Sequence, residues 1–441
     1  MKTMVIRASM LAVLVSGISF VSAQDTTTSM RDYLAPEKST RNVFEDPKVE
    51  APAYNGVQVS VGGDFALQFQ ALDHSTEAAS LGLKTGTTTP NTLRVMGSDF
   101  NLPTANLDVN AYLAKGVKMH LRTYLSARRH NEAWVKGGYI QVDNLDFIQE
   151  GFASGIMQHA RVKVGMDEIN YGDAHFRRSD NAETINNPFV GNYIMDSFTT
   201  EAFGEAYVFY NNFIAMAGLS NGKLNQTAVK GTSDNAPSIY AKVGYDKQIS
   251  PELRVRLTGS VLQTNGMSTG GYLYGADRGG SRYYYTLLTE NDLVGQDNPT
   301  TGRFNPGFKK NKAIQINPFI KYQGLEFFGM YERVTGLKSA TAPSRGNYTQ
   351  LAAELLYRFG GNEQFYFGGR YNTVSGKDND SAAERKIDRY NLGGGWFMTK
   401  NILAKVEYVN QQYNNSTVWG ATSALQGGKF NGVMFEATIG F

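Results

Sequence analysis

From Val57 to Phe441 the chain alternates apolar and polar residues with a period of two, and that alternation leaves few folds open. In the run Val57 to Gln70, Val57, Val59, Val61, Phe65, Leu67 and Phe69 share one face. Gln58, Ser60, Asp64, Gln68 and Gln70 share the other. Side chains on an extended strand point to opposite faces in turn, so this is a strand with one apolar and one polar side. At about 14 residues it exceeds the usual soluble strand and suits a tilted strand crossing a bilayer. The pattern returns at Ala105, Leu107, Val109, Ala111 and Leu113. Val117, Met119, Leu121, Thr123 and Leu125 then lie opposite Lys118, His120, Arg122 and Tyr124. Val162, Val164 and Met166 lie opposite Arg161, Lys163 and Asp167; Leu253, Val255, Leu257 and Val261 lie opposite Arg254, Arg256, Thr258 and Ser260. Further runs bring the count to roughly sixteen, the even number expected when both chain ends lie on one side of a barrel.

The connections alternate in length. Short turns are expected at Lys115-Gly116, Asn211-Asn212, Asp246 to Glu252, Gln323-Gly324, Gly360 to Glu363 and Thr399 to Asn401. Long polar loops are expected near 72–100, 170–200, 220–237, 264–312, 334–347, 374–387 and 412–430. Two connections break the rule: that near 128–133 is short for its side, and that near 144–159 is long and has room for a helical turn. The sequence therefore predicts an all-β fold: a transmembrane antiparallel β-barrel with short periplasmic turns and long extracellular loops. Two aromatic bands fit its interfaces. Tyr245, Tyr322, Tyr357, Phe359, Phe365, Trp396 and Phe441 lie towards the turns; Phe69, Tyr331, Tyr371, Tyr390 and Tyr408 lie towards the loops.

Composition agrees. Charged residues make up 19%, below the usual ~25%, beside 47 Gly, 25 Tyr and 25 Phe. No apolar run after the first residues reaches the length of a transmembrane helix. The formal charge of +3 falls to +1 when Lys2 and Arg7 are set aside, which argues against a nucleic-acid binder. Zero Cys excludes disulfides, thiolate metal sites and a cysteine-linked lipid anchor. Lys2 and Arg7, the apolar stretch Ala8 to Phe20 and the small residues before Gln24 predict a secretory signal peptide over 1–23 and Sec export. Residues 24–56, polar and carrying Pro36, Pro47 and Pro52, are expected as a periplasmic tail or linker, and 57–441 as the barrel.

In the last strand Val433, Phe435, Ala437, Ile439 and Phe441 alternate with Met434, Glu436, Thr438 and Gly440. Together with Val61-Gly-Gly-Asp-Phe-Ala-Leu-Gln-Phe-Gln70, Ile169-Asn-Tyr-Gly-Asp-Ala-His-Phe-Arg-Arg-Ser-Asp-Asn181 and Arg389-Tyr-Asn-Leu-Gly-Gly-Gly-Trp396, it makes the chain resemble the Gram-negative outer-membrane porins. It is similar to the phosphate-selective O and P type and to related porins of Bacteroidota. The resemblance implies an outer-membrane location among lipid and lipopolysaccharide, and recognition of Phe441 by the barrel assembly machinery. It also implies a homotrimer, passive diffusion of small hydrophilic solutes or ions, and a third external loop folded inward. By strand count that loop is 170–200. It does not carry the family's phosphate selectivity over, because the basic ladders do not align residue by residue.

On this reading Asp173, His175, Arg177, Arg178 and Asp180 form a constriction. Lys118, His120, Arg122, Arg161, Lys163, Arg254, Arg256, Glu326 and Glu354 line the pore. Charges in such a confined space set ion preference, here a mild one for anions. Two other readings stay open: a plugged structural or surface-binding barrel, its lumen filled by 24–56 or 264–312, and an outer-membrane hydrolase. The third would need a Ser–His or Asp–His constellation, and only His175 beside Asp173 and Ser179 comes near one. No enzyme, cofactor or metal site is expected. Tyr272, Tyr274, Tyr283, Tyr284 and Tyr285 with Arg278 and Arg282 are expected as an aromatic surface loop packed on itself, with stacking on a sugar face as the other reading.

Overall fold

The computed structural model describes residues 30–34, 42, 44–126, 133–222, 237–266, 272–275, 280–293 and 301–441. The expected signal peptide, the connection near 128–133 and Arg278 lie wholly or largely outside them. The described strands, from Gln58 to Gly440, form one closed antiparallel sheet. Its strands are β1 (Gln58–Ser75), β2 (Asp99–Phe100), β3 (Thr104–Ala114), β4 (Val117–Ser126), β5 (Ala133–Val142) and β6 (Ala160–Glu168). They continue as β7 (Thr200–Tyr210), β8 (Phe213–Ser220), β9 (Ser238–Ser250), β10 (Leu253–Thr264), β11 (Lys310–Tyr322) and β12 (Leu325–Leu337). The last are β13 (Gly346–Phe359), β14 (Phe365–Lys377), β15 (Arg385–Thr399), β16 (Ile402–Asn414) and β17 (Lys429–Gly440). β2 is a two-residue strand on the loop end of β1, so sixteen strands make the wall. Each pairs with its neighbours in sequence, and β1 closes the ring against β17 from Asp64↔Gly440 to Ser75↔Lys429. Closure pairs the two terminal strands, which would otherwise leave bare N–H and C=O groups in a bilayer without water.

The period of two decides what faces lipid. Along β13, Tyr348, Gln350, Ala352, Glu354, Leu356 and Arg358 are buried, whereas Leu351, Leu355, Tyr357 and Phe359 are exposed. An apolar side chain that stays accessible on a barrel wall is facing acyl chains. Tight turns at the other end rest on residues that take a left-handed backbone: Gly116 has φ 70° and Asn211 φ 53°. The connection after β5 is long and holds a short helix, Ser154–Met157.

Among the described residues, three segments occupy the lumen. Residues 169–199, between β6 and β7, fold inward and are buried almost throughout. Residues 280–287 and 304–308 of the β10–β11 connection pack above them, with Tyr274, Tyr283, Tyr284 and Arg282 buried. The aromatic loop thus packs inside the barrel rather than on itself at the surface. Tyr283 Oη donates to Glu407 at 2.7 Å and Arg282 Nη2 to Glu436 at 2.6 Å, so the wall's acids draw it inward. At the turn end, Met30–Leu34, Asn42 and residues 44–51 sit against the inner wall. Tyr33 and Leu34 pack on Tyr112, and Phe44 lies among Phe176, Phe319 and Phe328.

Candidate lumen site

The inward loop is held by charge. Its residues leave the apolar alternation, because Asp173, Arg177, Arg178 and Asp180 need partners when taken from water. Asp173 accepts from Arg256 Nε at 2.8 Å and Nη2 at 2.9 Å, from Thr258 Oγ1 at 2.8 Å and from Lys242 Nζ at 3.2 Å. Arg177 reaches Glu326 at 2.8 Å and Glu354 at 3.1 Å, the two acids expected on the pore wall. Arg178 grips Asp196 with two bonds, at 2.9 and 2.8 Å, and lies 3.9 Å from the ring centroid of Phe198. Asp180 stands 3.5 Å from both Arg122 and Lys136. His175 pairs through Nδ1 with Glu168 and through Nε2 with Asn170, at 3.0 Å. The His175–Asp173–Ser179 grouping does not form: Asp173 serves Arg256 and Lys242, and Ser179 Oγ accepts from Asn187.

Backbone groups of the loop are satisfied by the far wall. Ile194 N–H donates to Asn372 and Met195 N–H to Gln350, both at 2.8 Å; Val190 N–H donates to Glu407, also at 2.8 Å. A buried irregular segment needs such partners, since unpaired amides would be costly. Gly172 and Gly191 make the close approach. A Cβ on Gly172, which has φ 72°, would strike Gln315, and one on Gly191 would strike Tyr283.

The other expected pore-lining residues point inward and are engaged. His120 shares a 2.8 Å bond with Asn110. Arg122 binds Asp108 with two bonds of 2.8 Å. Lys163 lies 4.7 Å from the ring centroid of Tyr139 and 5.6 Å from that of Tyr207. Lys118, Arg161, Arg254 and Arg256 turn to the N-terminal segment. Lys118 meets Asp46 at 3.3 Å; Arg161 donates to the Asp46 and Pro47 carbonyls at 2.8 and 3.2 Å; Arg254 donates to the Asn42 carbonyl at 2.9 Å. Arg256 Nη2 meets Glu45 at 2.6 Å. The described part of the stretch read as a tail, from Asn42 to Pro47, is therefore hydrogen-bonded and ion-paired within the turn-side mouth.

Burial works to raise the Glu45 carboxyl, but the Arg256 and Lys242 cations outweigh it and hold that group well below the usual carboxylate range. Asp173 is lowered by the same balance. For Asp143, burial is outweighed by Arg161 and then Lys48, and the carboxyl comes down to about 2. Burial, then the Glu354 charge, pushes the Tyr193 hydroxyl well above its ordinary value.

Between the loop and β4–β7 lies a cavity of about 60 Å³, lined by His120, Arg122, Lys136, Lys163, Asp167, Glu168, Asn170, His175, Glu183 and Glu205 among others. Its polar walls suit a few ordered waters. Glu45, Lys136, Lys242, Asp143 and Asp196 are participants that sequence reading missed. Lys242 shares the inward face of β9 with Tyr240, so alternation could have found it. Glu45 lies in a stretch with no period and gives no such signal.

No family model matches the chain, and no curated protein does. Solved structures do. The outer membrane channel DcaP of Acinetobacter baumannii is 11% identical, with a TM-score of 0.52 over 89% of this chain and 100% of that one. An anion-selective porin from Comamonas acidovorans is 12% identical, with a TM-score of 0.50 over 87% of this chain and 100% of that one. At these identities the likeness is one of fold: the chain is a membrane-spanning β-barrel of the outer-membrane kind.

Proposed function

We propose that the chain is an outer-membrane porin that passes small hydrophilic solutes or ions, held here with its turn-side mouth occupied by its own N-terminal segment. The observation that carries this reading is the polar cavity between the inward loop and β4–β7, walled by both signs of charge. Confined charges of this kind act on ions by sign once a path past them is open. In this reading Asp173, His175, Arg177, Arg178 and Asp180 belong to the constriction. Lys118, His120, Arg122, Arg161, Lys163, Arg254, Arg256, Glu326 and Glu354 set the lumen's field. Residues 1–23 are a signal peptide, Phe441 is read by the assembly machinery, and the working form is a homotrimer in lipid and lipopolysaccharide. Phosphate and chloride are the first anions to compare.

A filled, non-conducting barrel that binds through its surface is the second reading. It is favoured by the apolar cluster of Val190, Ile194, Met195, Leu273, Tyr274 and Phe304 across the loop-side lumen. The test is single-channel recording in a planar bilayer, on the mature chain and on one lacking residues 24–51. Rare small steps from the first and frequent larger ones from the second, with an anion-leaning reversal potential, support the porin. Folded barrels silent in both forms overturn it in favour of the filled barrel.

A further inference from the structure

The N-terminal segment reaches the turn-side mouth with one side chain in a site of unusual completeness. Both oxygens of the Glu45 carboxylate are engaged: Oε2 by Arg256 Nη2 at 2.6 Å, Oε1 by Lys242 Nζ at 2.9 Å and by Asn170 Nδ2 at 3.1 Å. Arg256, Lys242 and Asn170 are all buried. Phe44 lies under the Arg256 guanidinium, 4.2 Å from its carbon, and fixes the fork in place. The donors come from β9, β10 and the inward loop, so the wall builds the polar site, and the segment supplies the anion and the Phe44 ring beneath Arg256. Asn170 also lines the polar cavity.

We propose that this is a binding site for small carboxylate anions, and that Glu45 is a tethered occupant which free carboxylates replace. The proposal rests on the porin reading for the anion's route but not for its binding. Two features favour a monocarboxylate over phosphate. A planar group with two oxygens matches the donors that Glu45 uses. The Asp173 carboxylate, bound to the same Arg256 and Lys242, repels a dianion at close range. When Glu45 leaves, Arg256 Nη2 keeps a donor directed at the vacated place, while Asp173 and Asp246, which also serves Arg254, leave the three cations Arg254, Arg256 and Lys242 one carboxylate short. A buried cation left short of a partner draws in an anion of the right shape.

The test is chemical rescue. Glu45→Ala removes a CH2–COO⁻ group, and propionate supplies it with one methyl carbon to spare. Titration calorimetry on the folded variant in detergent uses propionate, propionamide and inorganic phosphate as probes. Propionate is expected to bind saturably to Glu45→Ala, at least tenfold more tightly than to the unsubstituted chain, whose own glutamate competes. Propionamide and phosphate are expected to bind at least tenfold more weakly than propionate. Lys242→Met in the Glu45→Ala background is expected to abolish the binding. Should that double variant not fold, as read from heat-modifiable gel migration, competition of propionate by butyrate but not butyramide takes its place. No propionate binding to folded Glu45→Ala, or equal binding by both chains, overturns the site. Binding without conductance overturns the porin reading alone; conductance without binding overturns this inference alone.

Discussion

Arg256 Nη2 lies 2.6 Å from Glu45 Oε2, across 211 residues of sequence, and this pair ties the N-terminal segment to the barrel wall. Lys48 to Asp143, at 3.0 Å, is another of the segment's ties to the wall. Docking is therefore expected to weaken in acid. Both Glu45 and Asp143 are held below their free values, Asp143 at about 2. A depressed carboxyl stabilises docking above its free pKa of about 4, and that stabilisation is lost as pH falls towards the docked value. The segment should stay docked at pH 7 and loosen progressively as pH falls below about 4, through Glu45 and through the part of the Asp143 depression that Lys48 supplies, since Arg161 stays on the wall. With no native cysteine, a single fluorophore at Glu50→Cys reports the change cleanly. A signal constant from pH 7 to pH 2 would rule out control by these carboxylates.

The loop's hold on the far wall should depend on Arg177. Its side chain sits between Glu326 and Glu354, both wholly buried. Arg177→Ala leaves them to Arg358 and Arg370, each 2.8 Å away, so charge is not stranded outright. The cost should still approach the about 3–5 kcal/mol typical of breaking a buried pair. Denaturant unfolding in detergent measures it. In bilayers the same variant should show larger or noisier current steps, because the loop is freed from the wall that carries Glu326.

How much of this was legible in advance differs by element. Alternation alone placed the wall: Leu351 outward and Glu354 inward follow from parity. It also placed Arg177 and Arg178 in the third external loop, since the strand count fixes which connection that is. It could not show which acid each arginine meets. Arg178 turns to Asp196 in its own loop, while Arg177 crosses to β12 and β13. Such choices depend on how the loop folds in three dimensions. The N-terminal segment was least legible: Glu45 and Lys242 are partners across 197 residues, and neither the Pro-rich stretch nor the strand points to the other.

Arg178→Lys separates charge from shape. Lysine keeps the positive charge beside Asp196 but loses the two-pronged grip and the flat face that lies over Phe198. A loss of about 1.5–3 kcal/mol is expected, the range for hydrogen bonds to charged groups. It should show as a lower unfolding midpoint and as protease cutting within 185–199. Unchanged stability would mean that charge alone holds this end of the loop.

The lipid-facing assignment can be tested on one strand with two neighbouring residues. Leu351 is 48% exposed near the middle of β13, and Gln350 beside it is buried against the Met195 backbone. If the accessible face meets acyl chains, Leu351→Arg places a charge in hydrocarbon, at a cost of about 2–4 kcal/mol near the midplane. Phe359→Arg, at the turn end of the same face, should cost about 0–1 kcal/mol, because depth sets the penalty and the interface is wet. Reversible folding into vesicles, read by tryptophan fluorescence against denaturant, gives both numbers. A soluble barrel would show neither penalty, since arginine on a water-facing strand is nearly neutral. Equal penalties at both positions would point to a packing defect in place of a lipid interface. Gln350→Leu provides the inward control: it removes the bond to Met195 N–H and should loosen the loop without changing insertion. A large Leu351 cost, a small Phe359 cost and normal insertion of the Gln350 variant would together fix which face of β13 the bilayer sees.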